Sequence, residues 1–428
     1  MGGFIQFEQD FLERLRQDAD LSTLIGRDVQ LRRVGDGFLG RCPFHEERTP
    51  SFHVSISRNT YHCFGCHAHG DAIAWMRSWH RLSFRDAVVA LARESGVALP
   101  SVTTTADSDE SKARRKRLAA LYQALAVAAR IYSRALSRDA VAQAYLTQKR
   151  GLTADTIQRF GLGVVGKGIV GLLAKTTDQA ALLDCGLAIK RDEADIFDRF
   201  RHRIMVPIHN ESGHLVGFAG RTMIENPEKA PKYLNGPETE IFHKGRELYG
   251  LNQAKTAIRA SGLAIVVEGY FDVLSLHQAG DARAVAPMGT ALSGPQVRRL
   301  LIHADTVVFA FDADRAGIRA ALAAAMVLLV EIPDGKTARF LFLPDGEDPD
   351  SFVRAHGLEA WQSRIDQALP LSAYLCGHIS DGLNRELPES QVAAAGKAKD
   401  ILSRIQRAEL FRRAMRAKFE EIIGVSLD

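Results

Sequence analysis

Two sets of side chains in this 428-residue sequence have the types and spacing to do chemistry. The first is Cys42-Pro-Phe-His45 followed by Cys63-Phe-Gly-Cys66, two ligand pairs with two residues inside each. Loops that short let both members of a pair reach one ion, and a tetrahedral thiolate/imidazole set suits Zn²⁺. Four protein ligands leave no open position, so one structural zinc is expected, supplying on the order of 10 kcal/mol of folding free energy to a small module. The second set is acidic. Glu268 follows the apolar run Leu263-Ala-Ile-Val-Val267, Asp312 and Asp314 follow Thr306-Val-Val-Phe-Ala-Phe311, and Asp348 and Asp350 lie just beyond Ala338-Arg-Phe-Leu-Phe-Leu343. Hard oxygen ligands without nearby Cys or His select Mg²⁺ or Mn²⁺. The chemistry of such a site is phosphoryl or nucleotidyl transfer. Taken singly, Asp-Ala-Asp and Asp-Gly-Glu-Asp read equally well as helix caps and turns; three acidic segments at three strand ends favour metal.

These groups need elements to hold them. Continuous apolar runs alternating with helical stretches from Ser261 onward argue for a mostly parallel sheet covered on both faces. In such a sheet ligands bind at the carboxyl ends of the strands, where the acids fall. Two carboxylates about 4 Å apart repel by roughly 4 kcal/mol at an effective dielectric near 20, so the cluster requires cations or protons. Around the cysteines, Ser51-Phe-His-Val-Ser55 and Thr60-Tyr-His-Cys63 flank Ile-Ser-Arg-Asn as a hairpin of a zinc ribbon, whose aromatics form either a small core or a surface for unpaired bases. Arg203-Ile-Met-Val-Pro-Ile-His209 and the run from His214 to Arg221 read as two strands around a turn.

The fold class expected is multidomain α/β: a zinc ribbon over 1–100, a flexible linker over 101–117, a mixed α/β part over 118–260, a parallel-sheet part with flanking helices over 261–365, and a helical part over 366–428. The linker follows from a stretch whose only sizeable apolar residue is Val102. Its basic end reads as a solvated helix start or a phosphate-touching patch. Lys+Arg 55 against Asp+Glu 51 makes the chain no polycation, so nucleic-acid affinity must be local. A hydrophobic content of 46% with 25% charged residues excludes a wholly disordered or collagen-like chain. Five cysteines make no disulfide framework. The longest apolar run is too short for a membrane span, and the opening MGGFIQFEQDFLERL does not read as a signal peptide, so a cytoplasmic protein without membrane contact is expected. Gly161-Leu-Gly-Val-Val-Gly-Lys-Gly168 imitates a phosphate-binding loop but lacks the following Ser/Thr, so no ATP motor is expected.

Taken together, the motifs resemble bacterial DNA primases of the DnaG type over nearly the whole chain. The segment from Cys42-Pro-Phe-His-Glu-Glu-Arg-Thr-Pro-Ser-Phe52 to Cys66 resembles that family's zinc-binding domain. Arg199-Phe-Arg-His-Arg-Ile-Met-Val-Pro-Ile208, Pro231-Lys-Tyr-Leu-Asn235 and Phe242-His-Lys-Gly245 resemble its polymerase domain, and Glu268-Gly-Tyr-Phe-Asp272, Asp312-Ala-Asp-Arg-Ala-Gly317 and Leu343-Pro-Asp-Gly-Glu-Asp-Pro-Asp350 its TOPRIM fold. The resemblance implies Zn²⁺ on Cys42, His45, Cys63 and Cys66, and catalytic metal ions near Glu268, Asp312, Asp314, Asp348 and Asp350. Asp272 and Asp345 are implied in support. Lys232 and Lys244 are implied to contact nucleic acid or nucleotide, with Arg150 and Arg221 as companions. The implied activity is synthesis of short RNA primers from ribonucleoside triphosphates on single-stranded DNA, in the replisome at the nucleoid. The family's helicase-docking domain has no counterpart before Asp428, so helicase contact through it is not expected. Two other readings stand beside this one: a TOPRIM topoisomerase or nuclease, for which no catalytic tyrosine is marked, and a non-catalytic zinc-ribbon DNA-binding protein.

Overall fold

A computed structural model of the chain describes residues 7, 9–35, 37–97, 109–175, 177–190, 196–223, 231–289, 291–312, 314–344 and 346–427. The chain divides into two compact units, residues 1–110 and 111–428.

The first unit is a five-stranded antiparallel sheet of β1 (Leu31–Val34), β2 (Gly37–Gly40), β3 (Phe52–Ser55), β4 (Thr60–Cys63) and β5 (His69–Gly70), in that order, with short helices around it. Alternation along β3 and β4 sends Phe52, Val54, Tyr61 and Cys63 to the core and His53 and His62 to the other face. Phe52 and Tyr61 stack at 5.3 Å over Trp75 and are fully buried, so of the two roles open to these aromatics they take the core one. The helix Ala72–Ser78 that supplies Trp75 is capped by Asp71, which accepts from the Ala74 N–H and pairs with Arg16 at 2.7 Å.

The second unit contains two main sheets. One is antiparallel, in the order β11 (Tyr233–Asn235), β10 (Leu215–Thr222), β9 (Arg203–His209) and β6 (Gly163–Val165); β7 (Ala188–Lys190) and β8 (Ile196–Asp198) form a separate pair. The other runs β13 (Ala284–Val285), β12 (Leu263–Val266), β14 (Thr306–Phe311), β15 (Thr337–Phe342) and β16 (Leu369–Pro370), parallel except for β16. Its apolar runs are continuous because both faces are covered. Ala264, Val266, Val307, Phe309 and Phe340 pack into one core with the helices Leu251–Ser261, Gly294–His303 and Arg315–Glu331 and the three C-terminal helices. Ile265, Val308, Ala310 and Leu341 face the other core, with the helices Tyr270–Ala279 and Pro349–Asp366 and the antiparallel sheet. The acids at the strand ends therefore lie on the rim between two packed layers.

The expected linker over 101–117 is corrected in its second half. Residues 109–117 are helical and continue to Leu136, because Lys, Ala and Arg are good helix formers. Arg114 and Arg117 both pair with Glu240, which marks this basic end as a helix start. Residues 101–108 lie outside the described residues. Among the described residues no helix is long and apolar enough to cross a membrane.

Phe309, fully buried at the centre of the parallel sheet, tests the two-core arrangement. Phe309→Ala is expected to cost about 3–5 kcal/mol. In a urea titration this appears as an earlier transition of the larger unit, with the transition of the zinc unit unmoved.

Candidate functional site

Cys42, His45, Cys63 and Cys66 come together with their ligand atoms all within 4.8 Å of one another. Cys42 Sγ lies 3.6 Å from Cys66 Sγ, and Cys63 Sγ 3.8 Å from His45 Nδ1. A zinc–sulfur bond of about 2.3 Å gives a tetrahedral edge near 3.8 Å, so the residues fit one Zn²⁺. Backbone N–H groups of Gly65 and Cys66 donate to Cys63 Sγ and that of Phe44 to Cys42 Sγ, which favours the thiolates. Behind this shell, Glu47 accepts from the Cys42 and Ser51 N–H groups and lies 3.4 Å from His45 Nε2, fixing the imidazole through its far nitrogen. Gly65 is required in the second knuckle: a Cβ there would meet His45 Nε2 at 2.6 Å.

The acids form a wider arrangement. Among the described residues only the zinc set closes to within 4.8 Å; the carboxylates are coupled by charge. Glu268 lies just beyond β12, with Oε1 3.4 Å from the Asp312 N–H at the end of β14. Burial first, then the charges of Glu268, Asp348 and Asp314, push Asp312 up to about 6, while Lys232 works in the opposite direction. Burial, then the charge of Asp314, also raises Glu268, against the Asp312 N–H. Asp272 is shifted most. Burial and then the charges of Asp348, Asp312 and Asp350 push it to about 8, although the Gly269 N–H donates to it at 2.8 Å. Carboxylates that hold protons near neutral pH are those a divalent cation would discharge, so the oxygen-only set fits Mg²⁺ or Mn²⁺.

Two of the acids also cap helices. Asp314 accepts from the Ala316 and Gly317 N–H groups through Oδ1, and Asp348 from the Ser351 N–H, also through Oδ1. Capping fixes the carboxylates as well as closing the helices. Gly317 permits it, because a Cβ there would meet the Asp312 carbonyl oxygen at 2.1 Å. Asp350 sits deeper than the other acids. It is 1% exposed, and its oxygens are taken by Arg150 at 3.1 Å, Arg354 at 2.8 Å and Ser275 at 2.6 Å. It also acts on Asp272 through its charge. Asp345 lies outside the described residues.

The basic residues separate in the same way. Lys232 is exposed and is the cation that acts on Asp312. Its loop is placed by Arg203, buried between the strands, which donates to the carbonyls of Gly220 and Pro231, and by the Thr222 N–H, which donates to the Lys232 carbonyl. Lys244 is half-buried in a turn held by Glu238 and Gln296. Arg150 and Arg221 lie nearly buried and packed on aromatic rings. Sequence reasoning missed those rings (Tyr145, Tyr233 and Phe271) and the burial of Asp272 among the acids. The available signal was spacing: Asp272 follows Glu268 by four residues, across the turn that opens the helix Tyr270–Ala279.

The family profile described as CHC2 zinc finger matches residues 7–107, that for the DNA primase catalytic core, N-terminal domain, residues 131–255, and that for the Toprim domain residues 262–340. The chain is 38% identical to the DNA primase of Neisseria meningitidis over 98% of its own length and 71% of that protein's, and 36% identical to the DNA primase of Escherichia coli over 97% and 71%. A solved structure of the Aquifex aeolicus primase zinc-binding and RNA polymerase domains is similar with a TM-score of 0.62 at 30% identity, covering 98% of both chains. A DnaG catalytic domain solved with single-stranded DNA is similar with a TM-score of 0.65 at 36% identity, over 72% of this chain and 99% of that one.

Two measurements check the geometry. Cys63→Ser is expected to lower zinc content from one ion per chain to none by elemental analysis, melting the first unit and leaving the second folded. The acids give a pH dependence. Asp272 and Asp312 bind protons more tightly folded than unfolded, so their contribution to stability is full below about pH 4 and is lost as pH rises through about 6 and then 8. Mg²⁺ is therefore expected to raise the melting temperature of the larger unit more at pH 8 than at pH 6; an equal rise at both would separate the ion from these acids.

Proposed function

The chain belongs to the DnaG-type family of DNA primases, DNA-directed RNA polymerases with a structural zinc and a divalent catalytic metal, and on that premise we propose how its residues divide the work. The observation that carries the reading is the rim of charge-coupled carboxylates, Glu268, Asp272, Asp312 and Asp348, with Lys232 facing them. Glu268, Asp312 and Asp348 would hold the divalent ions, with Asp314 and Asp272 beside them. When bound, such ions neutralise the triphosphate and lower the pKa of the attacking 3′ hydroxyl. Asp272 lies buried beside these acids and is held above the usual carboxylate range by burial and by the charges of Asp348, Asp312 and Asp350. Lys232 offers a cation to phosphate on the same rim, and Lys244 a second one farther along the nucleic acid.

The substrates are ribonucleoside triphosphates and the template is single-stranded DNA. A free 3′ hydroxyl attacks the α-phosphate, the bond to the bridging oxygen breaks, and pyrophosphate leaves. In the first step an initiating nucleotide supplies the hydroxyl. The zinc unit would hold template through its open face: Phe64 is 64% exposed and is braced edge-on by the rings of His53 at 5.0 Å and His62 at 4.6 Å, a platform on which an unpaired base can stack. Work in replication at the nucleoid would follow from the family role. No observation favours the topoisomerase or nuclease reading; the hydroxyls of Tyr145 and Tyr233 accept from Arg221, and that of Tyr270 donates to Asn235.

The test supplies single-stranded DNA, labelled ribonucleotides and Mg²⁺. Asp312→Ala is expected to reduce primer synthesis at least a thousandfold while single-strand affinity stays within about twofold. Equal loss of both would move Asp312 from catalysis to folding, and DNA nicking without nucleotide incorporation would replace the polymerase reading.

A further inference from the structure

Strand alternation puts a row of imidazoles on the outer face of the zinc unit's sheet. His53 lies opposite His62 across β3 and β4, and His62 lies opposite His69 across β4 and β5. A further imidazole, His67, comes from the turn between β4 and β5. The His62 ring centre is 6.2 Å from that of His67 and 6.1 Å from that of His69. None of these histidines belongs to the knuckles, which close on Cys42, His45, Cys63 and Cys66.

His69 and His62 are set up for a cation. His69 Nδ1 stands 2.8 Å from the His67 carbonyl oxygen, which can only accept, so Nδ1 carries the proton and Nε2 is left bare. Metal-ligating histidines adopt this arrangement, with the far nitrogen donating to a carbonyl. His67, which supplies that carbonyl, has φ 59, a left-handed conformation that is uncommon outside glycine and gathers at functional sites. His62 Nδ1 is buried and finds no hydrogen-bond partner among the described residues. A ring nitrogen left so is costly, and a bound cation is a partner for it. Ligand nitrogens about 2.0–2.1 Å from a shared ion bring ring centres to roughly 5–6 Å, so closure by about an ångström suffices. Only the zinc set is already closed among the described residues; His67 and His69 are exposed, so their rings can turn inward.

We propose that His62, His67 and His69 form a second metal site, taking an imidazole-seeking divalent cation of the zinc, nickel and copper class. Lacking thiolates, it holds its ion more weakly than the knuckles hold zinc, and the ion exchanges. The His62 ring also braces Phe64 edge-on at 4.6 Å. An ion that draws His62 toward His69 takes that brace from the platform, so ion and template compete. The competition rests on the reading of Phe64 as a template contact; the metal site does not.

The test dialyses the full zinc-loaded chain against Zn²⁺ in excess Mg²⁺, which keeps the acids of the larger unit occupied. Elemental analysis is expected to rise from one zinc per chain to two, the second being lost on dialysis without zinc. His69→Asn is expected to weaken the second ion at least about tenfold and to leave the first in place. A ratio that stays at one overturns the site, as does a second ion that His69→Asn holds as tightly as the wild type. Should the substitution disturb folding, Ni²⁺ added to the wild-type chain decides. Selective broadening of the His62, His67 and His69 ring resonances supports the site, and broadening confined to other residues refutes it. Filling the site is expected to weaken affinity for single-stranded DNA at least about fivefold in the wild type and less than about twofold in His69→Asn. A bound second ion with DNA affinity unchanged overturns the competition. Phe64→Ala keeps the two levels apart: unchanged DNA affinity in that variant sinks the template platform, whereas reduced affinity beside a wild type that holds one zinc sinks only the second site.

Discussion

Carboxylates gathered where water is scarce repel one another, and the larger unit is built so that they gather regardless. Asp272, Asp312 and Glu268 are all raised above their ordinary range by burial and by neighbouring charge. Such a cluster opposes folding unless protons or metal ions occupy it, so the surrounding structure must be stable enough to hold it open. The parallel sheet does this. Two cores, one on each face, fix β12, β14 and β15 in register, and the acids leave from the same end of all three. Helix caps finish the aiming: Asp314 and Asp348 each spend one oxygen on backbone N–H groups.

The zinc unit solves the opposite problem. It has a small core centred on Phe52, Tyr61 and Trp75, too little to order two ligand loops alone. The metal supplies the missing free energy, and Glu47 carries the loop order outward by tying together Cys42, His45 and Ser51. The aromatic core leaves the opposite face of the sheet to histidines and to Phe64, so a single alternation along β3 and β4 separates what holds the unit together from what it can present to nucleic acid.

Charge of both signs is graded across the rim of the larger unit. Lys232 stands in the open and lowers Asp312; Arg150 and Arg221 lie deeper, on Phe271 and around Tyr145. Exposed lysines suit a nucleic-acid backbone that slides, because a hydrated ammonium has no fixed orientation. Buried guanidinium forks suit a phosphate group that must stop at one place. Asp350 belongs to this second set and links it to the acids through Asp272.

The zinc knuckles, the parallel strands behind the acids and the family were legible in the residues, because each rests on local spacing. Two residues between ligands define a knuckle, and an acid directly after an apolar strand can only leave from that strand's end. What spacing does not encode is where a side chain goes after the chain has turned. Asp350 and Asp348 are two residues apart, yet one pairs with Arg150, 200 residues away in sequence, while the other caps its own helix. Nothing in the spacing around Arg221 shows that β10 carries it to the hydroxyls of Tyr145 and Tyr233. Residues 109–117 read as a tether because polarity alone does not distinguish a solvated helix from a loop. Local pattern thus determined the elements and the metal chemistry, whereas tertiary packing decided which charges remain free for substrate, because burial and counter-charge are set by neighbours distant in the chain.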